Sequence, residues 1–173
     1  LKNTVTLEKD LTGSVVAGFS ASGEASGNIV NLTGRTFTGN IAGGHGTRTN
    51  DNIIRLKDAA VTGTVTGGTA ANGTGNTLAV AYGTGTSSIG DFSGIRNIHF
   101  DLENAPLDDT THTLLKLTNV SGANKTLSNL NIEFERLSAA KRFKKGDSLT
   151  LMENASGAFI LGDNVTSKDV DGV

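Results

Sequence analysis

The chain has no cysteine, no tryptophan, one proline and one tyrosine among 173 residues. Without cysteine, a disulfide framework and thiolate metal sites are excluded, and the chain suits passage through an oxidising compartment while unfolded. Long amphipathic runs of Leu, Ala, Glu and Lys are missing, which disfavours a helical bundle. No apolar stretch is long enough to span a bilayer as a helix, and no signal peptide is spelled. The formal net charge of -2 gives no overall drive toward nucleic acid or an anionic membrane. The sequence opens at Leu1 without a methionine and reads as a piece of a longer protein.

What is present is repetition. Asn3, Asn28, Asn52 and Asn76 each open a short strand-like run, NTVTL, NIVNL, NIIRL and NTLAV, at steps of 25, 24 and 24 residues. Each of the first three runs is followed by Thr-Gly and a β-branched residue: Thr12-Gly13 with Val15, Thr38-Gly39 with Ile41, Thr62-Gly63 with Val65. Gly18, Gly43-Gly44 and Gly67-Gly68 then close each unit. Separate landmarks keeping one step mark a solenoid, a fold that serves as an extended surface more often than as an enzyme. Hydrophobic residues make up 36% of the chain and alternate, so a core can form and disorder is disfavoured.

Period-two alternation sets the inward positions. Val5/Leu7, Val30/Leu32, Ile54/Leu56 and Leu78/Val80 give the first ladder; Leu11, Phe37 and Val61 the second; Val15, Ile41, Val65 and Ile89 the third. Three ladders at fixed phase predict a three-sided tube whose strands pair with their equivalents one turn on. The closing glycines are expected at positive φ, where the path bends. Asn28, Asn52 and Asn76 are expected to form a structural ladder of stacked amides, because a ligand would not need the same residue on every level.

The pattern changes near residue 105. Ser88–Leu102 still resembles a unit, though Asn97 falls one residue out of phase, and Glu103-Asn104-Ala105-Pro106 is the clearest break. Residues 1–105 are therefore read as coils and 106–173 as a C-terminal capping region. Its strand-like runs are Thr113–Leu117, Leu130–Phe134, Ser148–Met152 and Ala158–Leu161, with some antiparallel pairing expected to blunt an open end. Leu137–Lys144 is the one helix candidate.

Catalytic chemistry finds little support. Asp51 and Asp58 flank one strand with nothing equivalent one unit away, and the chain is read as lacking carboxylates at equivalent positions on adjacent units, the arrangement a β-helical glycosidase would use. His45, His99 and His112 are scattered, without metal-binding spacing or a nucleophile elbow. Gly43-Gly44-His45-Gly46-Thr47-Arg48 has the glycines of a calcium nonapeptide but not its Asp. No catalytic, cofactor or metal site is assigned, and the chain is read as a non-enzyme. The sharpest chemical signal is Lys141-Arg142-Phe143-Lys144-Lys145, in which Lys141, Arg142, Lys144 and Lys145 fit a polyanion-binding pattern. A solvated turn is the plainer reading of the same residues, as it is of Lys145-Gly146-Asp147. Loops Phe19–Gly27, His45–Asp51 and Thr69–Gly75 offer one further edge on which binding residues are displayed.

The unit Ser26-Gly27-Asn28-Ile29-Val30-Asn31-Leu32, with Thr38-Gly39-Asn40-Ile41-Ala42-Gly43-Gly44, resembles the glycine-rich repeats of bacterial type V autotransporter passenger domains. Thr113-Leu114-Leu115-Lys116-Leu117 and Gly146-Asp147-Ser148-Leu149-Thr150-Leu151 resemble the segment preceding that family's membrane barrel, which often acts as a folding nucleus. The resemblance implies a right-handed parallel β-helix displayed on a Gram-negative surface and tethered through a translocator barrel beyond Val173. It also implies a stalk of an adhesin passenger, with host-surface or matrix glycans, or further copies of the chain, as partners.

Overall fold

The computed structural model describes residues 2–71, 73–103, 105–106, 112–135 and 148–169. Among these residues the chain is all β, with no helix. One seven-stranded sheet runs β1 (Thr4–Leu7), β3 (Ile29–Thr33), β5 (Ile53–Lys57), β7 (Thr77–Ala81), β9 (Asn97–Asp101), β12 (Leu130–Glu135), β15 (Val165–Asp169). A six-stranded sheet runs β2 (Leu11–Val16), β4 (Thr36–Ala42), β6 (Ala60–Thr66), β8 (Ser87–Ser93), β10 (Thr113–Leu117), β13 (Thr150–Asn154). A small pair joins β11 (Lys125–Leu127) to β14 (Phe159–Leu161). Every pairing of these strands is parallel.

Register follows the repeat. Val30 pairs with Ile54 and Ile54 with Leu78, so equivalent aliphatic residues lie over one another. Their side chains and those of the other sheet join one buried cluster, in which Val30, Ile54, Leu78 and Ile98 have no exposed surface. A single repeat has too few such residues to bury its own apolar face; stacking supplies the missing neighbours. Truncating one of them to Ala removes about 2–5 kcal/mol.

Several expectations need correction. The second and third apolar ladders do not occupy separate sides: Phe37 and Ile41 lie on one strand, β4. Between them Gly39 adopts φ 137, and a Cβ there would overlap the Gly13 carbonyl oxygen. Ile89 stacks on Val61 in the second ladder, and Phe92 takes the place over Val65, because the register shifts between Val61 and Thr64. The third side is built of loops, bridged at Phe19–His45 and Glu24–Arg48 and by backbone bonds such as Ala25 N–H to the Arg48 carbonyl, 2.9 Å.

The closing glycines are also required for a reason other than backbone bending. Gly18, Gly43 and Gly67 do not have positive φ. A Cβ on Gly43 would fall 2.6 Å from the Asn52 Cβ and 2.6 Å from the Gly67 carbonyl oxygen. Glycine is needed because the next level passes too close for any side chain.

The sheets also run on past the sequence break. β9 pairs with β12 and β12 with β15, all parallel, so the C-terminal pairing is not antiparallel. The helix expected over 137–144 lies outside the described residues.

Candidate functional site

The fold presents two built features, one inside and one out. Inside, Asn28, Asn52 and Asn76 are fully buried. Both the backbone N–H and the side-chain amide of Asn28 donate to Asn52 Oδ1, at 2.9 and 2.8 Å. Asn52 does the same to Asn76 Oδ1, at 3.0 and 3.1 Å, and Asn3 to Asn28 Oδ1. A second amide hydrogen reaches the loop: Asn52 Nδ2 donates to the Ala25 carbonyl and Asn76 Nδ2 to the Thr49 carbonyl. The amide can do this because it offers two donors and one acceptor at once, which no other short side chain does. The row ends at Asn76, whose carbonyl accepts from the Arg96 and Asn97 N–H groups, while Asn97 pairs with Thr77.

Outside, alternate residues of the seven-stranded sheet point to solvent and line up in columns. One column runs Asn31, Arg55, Ala79, His99, Glu133. The next runs Thr33, Lys57, then Ala81, Asp101, Glu135. These side chains surround a depression of about 630 Å³. Its floor is Ala79 and Ala81, its one wall the cations Arg55 and Lys57, its other wall the carboxylates Asp101, Glu133 and Glu135. His99 stands between two of these acids: Nε2 is 2.9 Å from Glu135 Oε2 and Nδ1 is 3.7 Å from Glu133 Oε2. Asp101 Oδ1 accepts the Glu103 backbone N–H at 2.9 Å.

The Asp101–Glu135 pairing corrects the sequence reading that no two carboxylates occupy equivalent positions on adjacent levels. An open face whose acids are partly engaged is suited to accepting hydroxyl hydrogens and holding an anion opposite. Proton transfer favours a site closed to water.

The other candidates are separate from this face. Asp51 and Asp58 sit at φ 55 and 51 as turn residues, and Asp58 Oδ1 accepts the Gly85 N–H at 2.8 Å. On the loop side His45 stacks on the 71% exposed Phe19, ring centroids 5.1 Å apart. Lys141, Arg142, Lys144 and Lys145 lie outside the described residues. Among the described residues no group of three or more His, Asp or Glu is placed to hold a metal ion.

No family model, curated protein or solved structure matches the chain.

Proposed function

We propose that this chain is a load-carrying stalk and folding-template segment of a cell-surface autotransporter passenger, built as a right-handed parallel β-helix. The parallel pairing of every strand with its equivalent one unit on supports the solenoid. Right-handedness follows from the general rule for parallel crossover connections. The observation that carries the reading is the row in which the exposed Asn3 joins the buried Asn28, Asn52 and Asn76, each level completing the hydrogen bonds of its neighbour. Such a level is satisfied only once the next is in place, so an ordered end acts as a template on which further coils form one by one. The region beyond residue 105 is the template in this proposal, because its strands continue both sheets. Catalysis plays no part in it.

Deletion of Leu107–Val173 tests the template role. The remaining coils are expected to aggregate or to be cut by protease at concentrations where the full chain resists, read by light scattering and limited proteolysis. A deletion variant that refolds with unchanged cooperativity rejects it.

A further inference from the structure

The depression on the outer face of the seven-stranded sheet has no role in a stalk, and its chemistry is not that of a plain solvated surface. Charge on it is sorted by level. Arg55 and Lys57 occupy β5, alanines fill the same two outward columns on β7, and the acids begin on β9. Neighbouring strands are about 4.8 Å apart, so the cations and Asp101 stand about 10 Å apart across the alanine floor.

We infer that this face binds an acidic saccharide about two rings long, with its carboxylate on Arg55 and Lys57 and its hydroxyls on Asp101 and Glu135. Four observations converge on that occupant. The guanidinium of Arg55 is exposed and presents the planar fork that matches a carboxylate, with Lys57 beside it. The opposite wall consists of acceptors, and sugar hydroxyls are neutral donors that such acceptors take up. His99 already stands against Glu135 and Glu133, so the acid wall has a partner of its own and neutral hydroxyls suffice as further donors. The alanine floor gives a ring close approach, since a longer residue at either position would fill the space.

Size and charge together favour a small ligand. A depression of about 630 Å³ falls within the usual range for small-ligand sites. The inference stands apart from the stalk reading, because a folded chain that fails to bind the sugar would still be a stalk.

The test is amide-detected NMR titration of the full chain with a glucuronate-containing hyaluronan disaccharide, with cellobiose as the neutral control. Shifts are expected at Arg55, Ala79, Ala81 and Asp101, with cellobiose binding at least about tenfold more weakly. Arg55→Gln/Lys57→Gln is expected to lower affinity by a similar factor, and Ala79→Leu to block the site, each with an unchanged melting midpoint. Both side chains point to solvent, so loss of binding without loss of fold is the readout. A Lys141→Gln/Arg142→Gln/Lys144→Gln/Lys145→Gln variant is expected to bind as before; loss of binding there moves the site to the basic run and overturns the inference. Equal shifts with cellobiose, shifts confined to another face, unaltered binding by Ala79→Leu, or no shifts at millimolar disaccharide would each overturn it as well.

Discussion

Asn28 places two donors, its backbone N–H and its side-chain amide, on the one Oδ1 oxygen of Asn52, at 2.9 and 2.8 Å across 24 residues of chain. Both residues have no exposed surface, so water cannot substitute for either bond.

Asn52→Ala is therefore expected to be among the most damaging single truncations of a polar residue here. It leaves two Asn28 donors without their acceptor, at about 1–3 kcal/mol for each buried unsatisfied group, and takes the amide donor from the Ala25 carbonyl, while Asn76 Oδ1 keeps only the backbone N–H of residue 52. Asn52→Asp should be worse, because it sets a buried carboxylate against the Asn76 Oδ1 and Ala25 carbonyl oxygens. The outward Asn31→Ala should stay within about 0.5 kcal/mol of the parent. Denaturant midpoints compare the three, and an Asn52→Ala midpoint equal to that of Asn31→Ala would contradict the role of the row.

Gly43→Ala and Gly34→Ala separate the two reasons for glycine. Gly34 has φ 60 and open space around it, so alanine there costs about 1–2 kcal/mol in backbone strain alone, and Gly34→Asn should recover much of that. Gly43 has ordinary φ but no room, so Gly43→Ala should cost about 1–3 kcal/mol, with no recovery by Asn. Thermal melts of the four proteins make the comparison.

Lys125 fastens the two-stranded sheet to the six-stranded one. Its ammonium meets Asp91 Oδ1 at 2.6 Å, the Phe92 carbonyl at 2.7 Å and the Phe92 ring at 4.3 Å from its centroid. Lys125→Met keeps the stem and removes the charge, leaving Asp91 only 25% exposed and without its cation. A loss of about 1–3 kcal/mol is expected, with faster amide exchange in Lys125–Leu127. Exchange unchanged in that strand would show that the contact is incidental.

His99→Ala removes the group between Glu133 and Glu135. These acids are partly exposed, so the effect on stability should be small, within about 1 kcal/mol, and should shrink in salt. A large loss insensitive to salt would point to packing of the ring instead.

Where the repeat held its step, the chain could be read directly. Val30, Ile54 and Leu78 were placed over one another from the 24-residue spacing, and they pair so. Legibility failed where the step changed. Ala59 contacts Ser87 at a separation of 28, and the added residues, with the register shift near Val61, put Ile89 on the wrong ladder. Asn97 and Asn131 are 34 apart yet bonded through their side chains, so the match of Asp101 with Glu135 could not be found by counting in units of 24. The reason for the closing glycines was hidden too: a sequence shows that a position excludes side chains, but not whether torsion or a neighbour excludes them.

The buried asparagine row also has a sense of direction, since each amide faces the next Oδ1 and none faces back. Duplicating residues 52–75 in place would lengthen the rod with every donor still matched, whereas splicing in a unit of opposite polarity would bring oxygen against oxygen. Length can thus be altered in whole modules, one way round, without redesigning either end.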